Sequence, residues 1–105
     1  MDARNLLSRM YAEHNDKRIE FHKAYWAAEW SWNPIADGIY PCRETITQHD
    51  LVNGVNVYRT DTNNRFYFPW ELYEDEQACK NACDLFNDFG YGYDMERTAF
   101  LRMSS

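Results

Sequence analysis

The pair Asn53-Gly54 constrains this chain more than any other feature. It sits between two short runs, Asp50-Leu51-Val52 and Val55-Asn56-Val57-Tyr58. A two-residue hairpin turn needs positive φ at its central positions, and Asn-Gly adopts that backbone at least cost. The chain is therefore expected to reverse here into an antiparallel hairpin. A second reversal follows, because residues 55–60 and 65–70 flank Asp61-Thr62-Asn63-Asn64, a cluster of turn formers. A four-residue loop there puts Tyr58 opposite Tyr67. Side chains alternate along a strand. Val55, Val57, Phe66, Phe68 and Trp70 then share one face, and Asn56, Tyr58, Thr60, Arg65 and Tyr67 the other. The first set is the natural core face. Upstream, residues 39–47 read as another strand, and Pro41 assigns it to a sheet edge.

Helical patterns flank this β region. Leu7, Tyr11, His14, Arg18, Phe21, Tyr25, Ala28 and Trp32 recur at steps of three and four, which is a helical stripe. Asp2 can cap its start. Asn15-Asp16 divides it into two helices, with Asp16 capping the second. Arg9 with Glu13, and Glu13 with Lys17, stand at i,i+4 and support helix on the wet face. Asn33-Pro34 ends the region, since the residue before proline is pushed out of helical backbone. Downstream, a helix is expected over about 71–89. Glu71, Glu74, Asp75 and Glu76 crowd its first turns, where the helix dipole favours acids. Leu72, Cys79, Ala82, Cys83, Phe86 and Phe89 form its apolar stripe, and Gly90 is a suitable stop. Asp94 can cap a short final helix through Phe100 and Leu101. Helices, consecutive strands, then helices predict an α+β fold with antiparallel hairpins at about 39–70. The 105 residues suit a single domain spanning 1–105.

Composition narrows the function classes. No repeat or low-complexity block is present. The N-terminus lacks an apolar signal region, and the longest apolar run, residues 24–28, falls far short of a membrane span. Three cysteines, an odd number without a secretion signal, point to reduced thiols. The expectation is a soluble cytoplasmic protein. The net charge is −6, and residues 71–94 hold seven acids against one base. That balance disfavours direct nucleic-acid or membrane binding and suits a partner protein with a basic surface.

Catalytic patterns are missing. Cys79-x-x-x-Cys83 places two thiols on one helix face, and zinc would need Cys42 and His49 as well. Both helical thiols lie on the apolar stripe, where cysteine packs as a small hydrophobe. No metal or other cofactor is expected. His14 and His22 lack the Glu-x-x-His pattern of di-metal bundles. Ser8, Ser31, Ser104 and Ser105 lack a Gly-x-Ser-x-Gly frame. Gly90-Tyr91-Gly92-Tyr93 lacks the Lys-Ser/Thr ending of a phosphate loop.

Two surfaces remain as partner-binding candidates. One is the acidic row Glu76, Asp84 and Asp88, interrupted by Lys80 and flanked by Asp75, Gln77, Asn81 and Asn87. Its bland explanation is the solvated side of an amphipathic helix. The other is an aromatic–cationic patch of Tyr58, Arg65 and Tyr67 on the hairpin's second face, which could also stack single-stranded bases; its bland explanation is burial under another element. Trp26, Trp30 and Trp32 are too bulky for one small core, so one of them is expected at an interface or homodimer contact. The expected function is a non-enzymatic inhibitor or adaptor that occupies a partner's basic, nucleic-acid-binding surface. An anti-defence or anti-CRISPR-type protein of a phage or mobile element fits that description. The competing expectation is a small metal- or thiol-dependent enzyme or metalloprotein using Cys42, His49, Cys79 and Cys83.

Overall fold

Asn53 and Gly54 both take the left-handed backbone, with φ of 54° and 81°, and the hairpin forms around them. The structure is a computed structural model that describes residues 3–31, 38–61 and 65–103. Its elements are α1 (Ala3–His14), β1 (Ala24–Ser31), β2 (Gly38–Thr45), β3 (Gln48–Val52), β4 (Val55–Arg59) and β5 (Phe66–Tyr67). A 3-10 turn (Pro69–Glu71), β6 (Leu72–Tyr73), α2 (Glu76–Asn87) and α3 (Tyr91–Met103) complete them. This is an α+β fold. The strands form two antiparallel sheets, ordered β2-β1-β6 and β3-β4-β5. Strand β2, with Pro41, lies at a sheet edge, and Tyr58 pairs with Tyr67 in register.

The alternation of side chains gives each sheet two covered faces. On the first sheet, Ala28 and Ile39 pack with Cys79, Cys83 and Phe86 of α2. On its other face, Tyr25, Ala27 and Leu72 meet Ile46, Tyr58 and Tyr67 between the sheets. Val55 and Val57 of β4 join Phe68, Trp70, Leu6, Leu7 and Phe100 in the larger core. Asn87 fixes the end of α2 on β2: its Oδ1 accepts from the Ile39 N–H at 2.7 Å and its Nδ2 donates to the Ile39 carbonyl at 2.9 Å. Gly38 permits this approach. Its φ is 150°, and a Cβ there would lie 3.0 Å from Asn87 Oδ1.

Several expectations are corrected. The second half of the N-terminal helical stripe is strand β1, not helix, and Asp16 caps nothing. A strand covered on both faces reads as a nearly continuous apolar run, and alternation disappears from its sequence. Tyr25 and Ala27 enter one core while Ala28 enters the other, which mimics steps of three and four. Helix α1 stops at His14, so Lys17 lies beyond it and donates instead to the Leu72 carbonyl. The helix expected from 71 begins at Glu76, and Leu72 belongs to β6. The final helix is longer than expected, at 13 residues, and Asp94 lies inside its first turn. The positions of Asp2, Asn33-Pro34 and Trp32, and the side chain of Trp30, fall outside the described residues, while Trp26 is half-buried.

Glu71 is the largest departure. Its side chain is buried and accepts four hydrogen bonds. Oε1 takes the Phe68 N–H at 2.9 Å and Arg97 Nη2 at 2.8 Å. Oε2 takes Arg97 Nε at 2.8 Å and the Tyr93 hydroxyl at 2.9 Å. Arg97 also donates to the Phe66 carbonyl at 3.0 Å, and its guanidinium lies over the Phe66 and Phe68 rings. Burial, and then the Glu71 carboxylate, push the Tyr93 phenol far above its ordinary pKa, so it stays a donor. Removing one member strands the other as a buried charge, which typically costs about 3–5 kcal/mol. Glu71→Gln and Arg97→Met are each expected to lower stability in urea by about that much, and the double variant by less than their sum. Losses under about 1 kcal/mol for the single variants would remove the pair as the anchor of the fold.

Candidate functional site

The acidic face of α2 is built from both ends. Asp75 caps the helix, its Oδ2 accepting from the Ala78 N–H at 3.0 Å, and Asn87 ties the far end to β2. With Cys79, Cys83 and Phe86 buried, the opposite side must face out. Glu76, Lys80, Asp84 and Asp88 are all exposed, as are Gln77 and Asn81, which share a 2.9 Å hydrogen bond. Leu85 is 40% exposed beside them. Glu74 is occupied elsewhere, in a 2.8 Å ion pair with Lys23. No base stands in the last turn of α2. Asp84 and Asp88 instead lie at the end where the helix dipole disfavours negative charge, by about 0.3–1 kcal/mol per charge. Helix stability therefore does not account for them.

The second surface expected from the sequence does not form. Tyr58 and Tyr67 are only 8% and 1% exposed; they lie between the two sheets, covered by strands rather than a helix. His49 stacks on Tyr58 with ring centroids 4.8 Å apart. Arg65 is exposed, and its Nη1 lies 3.4 Å from Glu29 Oε1. The expected aromatic–cationic patch is thus a buried tyrosine pair with an arginine at its margin.

The four residues proposed for metal or thiol chemistry are not assembled into one site. Cys79 and Cys83 are buried and hydrogen-bonded to each other; that bond lowers the pKa of Cys79 and raises that of Cys83. Cys42 sits on β2, where burial, followed by the Glu29 charge, pushes its thiol up to about 11. A thiol held protonated at neutral pH is a poor nucleophile. His49 contacts Asn56 Oδ1 at 2.8 Å through Nε2. Among the described residues, no group of three or more His, Cys, Asp or Glu side chains is placed to hold a metal ion.

A cluster that sequence reasoning missed lies at the margin of the inter-sheet core. The β1–β2 register pairs Glu29 with Tyr40, Ala27 with Cys42 and Tyr25 with Glu44, so Glu29, Cys42 and Glu44 share one face. Arg65 reaches Glu29 from the segment entering β5, with Nη1 3.4 Å from Oε1. Glu29 is 9% exposed, and its Oε2 is buried with no hydrogen-bond partner among the described residues. Burial, followed by Glu29, raises the Glu44 pKa to about 7. Reading 24–32 as a helix hid this cluster, because it removed the strand register that sets Glu29, Cys42 and Glu44 on one face.

Comparison with protein-family models, with curated proteins and with solved structures found no match. The burial of the thiols leads to a direct check. A maleimide added to the native protein is expected to label Cys42 alone, and slowly, with Cys79 and Cys83 labelled only after denaturation. Rapid native labelling at all three, read by mass spectrometry, would mean that α2 is not packed on the sheet.

Proposed function

We propose that this protein acts by binding, with the outer face of α2 occupying a basic surface of a partner protein as an inhibitor or adaptor. The observation that carries this reading is the placement of Asp84 and Asp88. Both are exposed, both stand at the disfavoured end of the helix, and neither contributes to the core. An acidic face held at both ends by Asp75 and Asn87 is complementary to a basic groove of the kind that binds nucleic acid. Little side-chain and backbone freedom is lost when such a face docks, and that preorganisation favours affinity. The same charge repels nucleic acid itself. The proposed setting is an anti-defence inhibitor of a phage or mobile element, blocking a nucleic-acid-binding protein at that groove.

The test compares tagged wild type with Asp84→Lys/Asp88→Lys in pull-downs from nuclease-treated lysate. A stoichiometric partner with a basic surface is expected on the wild type. Its affinity should fall at least about tenfold in the double variant, equivalent to about 1.4 kcal/mol. The salt dependence of binding should flatten as well, because charge pairing has been lost. A partner retained with unchanged affinity and salt dependence would remove the α2 face from the interaction.

A further inference from the structure

We infer that the free edge of β3 is a strand-addition site, where an extended segment of a partner protein pairs with His49 and Leu51 and sets a basic side chain against Asp50. The hairpin decides which backbone groups are available. Its turn closes on Val52 and Val55, and a two-residue turn makes the residues that flank it a hydrogen-bonded pair. Antiparallel pairs alternate between hydrogen-bonded and non-hydrogen-bonded. Gln48, Asp50 and Val52 therefore turn their N–H and C=O groups to β4, while His49 and Leu51 turn theirs away from it. Residues 48–51 are exposed, and among the described residues β4 is the one neighbour of β3 in its sheet. Unpaired backbone groups in strand geometry suit one kind of ligand, another extended chain.

The other sheet edges are blunted. Pro41 stands in the middle of β2, and β5 and β6 have two residues each; proline and short length both discourage edge pairing. Strand β3 has five residues, without proline or glycine. It is also held in place without a partner. The Asn53 side chain donates to the Leu101 carbonyl of α3, and the Thr47 N–H donates to the Arg59 carbonyl at 3.0 Å. The stack on Tyr58 and the contact with Asn56 fix the His49 ring against the sheet. A strand already in place loses little freedom on docking. Leu51, at 67% exposed, adds an apolar contact beside the edge.

Asp50 decides between a foreign segment and a second copy. A two-fold axis through a continuous sheet would pair two β3 strands antiparallel. One such register uses both His49 and Leu51: each His49 meets Leu51 of the second copy, and Asp50 meets its own counterpart. That central pair is non-hydrogen-bonded, the kind with the closest side chains, and like charges directly opposite are destabilising. The Asp50 side chain is 61% exposed, and its contact with Arg59 is long, at 3.8 Å, so its carboxylate can accept a second cation. The edge thus disfavours its own copy. It suits a segment with lysine or arginine opposite Asp50 and an apolar residue beside Leu51. The acidic helix α2 packs on the other sheet, so this site does not depend on the reading of that helix.

The test uses the full chain, isotope-labelled for NMR, and short capped peptides with valine and threonine around a central residue. The centre is lysine in one peptide and glutamate in another; a further copy of the lysine peptide is N-methylated along the edge that would face β3. Binding is read from the amide shifts and hydrogen exchange of His49 and Leu51, and self-association by sedimentation. Both amides should exchange quickly in the free protein. The lysine peptide is expected to shift and protect them, and to bind at least about fivefold more tightly than the glutamate peptide. N-methylation should abolish binding, and Asp50→Lys should reverse the order of the two unmethylated peptides. The proposal is overturned if millimolar lysine peptide leaves these amides unchanged, or if the N-methylated or glutamate peptide binds as well as the lysine peptide. An unreversed order in Asp50→Lys, or a dimer that protects these amides without peptide, would overturn it too. If Asp50→Lys does not fold, the wild-type comparison of the peptides decides.

Discussion

The carboxylate of Glu71 holds the architecture together. It lies where the chain leaves β5 of one sheet and enters β6 of the other, with only Phe68 and the Pro69–Glu71 turn between them. Its four donors come from both sides of that crossing: the Phe68 backbone before it, and Tyr93 and Arg97 on α3. One side chain thus fixes the crossover and the last helix together. Taking two charges out of water is costly, and a well-packed apolar substitute often matches or exceeds the stability of a buried pair. What the pair adds is geometry. The bidentate fork sets the distance and rotation of α3 against the turn, and Arg97 then fills the space over Phe66 and Phe68. The stacked Phe68–Trp70 pair and the edge contacts of both rings with Phe100 follow from that placement.

How much of this was legible in the sequence depends on whether a segment's signal was local. The Asn53-Gly54 turn and the Tyr58–Tyr67 register are local, and both were readable. The amphipathic body of α2 was readable because its apolar stripe and its wet face differ in composition. Strand β1 was not, because both its faces are covered and tertiary packing, not periodicity, decides its state. Glu71 was misread for a related reason. Its acid neighbours suggested a helix N-terminus, whereas its side-chain partners stand more than twenty residues away on α3. No local pattern distinguishes an acid that caps a helix from one awaiting an arginine elsewhere.

The candidate site divides in the same way. The exposed acids of α2 follow from the helix alone. The tyrosine–arginine patch failed because a two-sheet fold supplies a second cover that a single hairpin does not reveal. The shared face of Glu29, Cys42 and Glu44 depends on the β1–β2 register, which was out of reach once β1 was taken for a helix.

Strand β2 connects these features. Among the described residues it is an edge strand, paired only with β1 in its sheet, and Pro41 cannot donate to any ladder. Near its start, the Ile39 backbone holds Asn87 and so seats the end of α2 that carries Asp84 and Asp88. Near its finish, Cys42 and Glu44 share the sheet face that carries Glu29. An edge strand has one neighbour to fix it, so a side-chain contact such as that of Asn87 carries a larger share of its position than it would in a central strand. The outer face of α2 is thus seated through side-chain contact on an edge strand, which eight register pairs with β1 hold in the sheet.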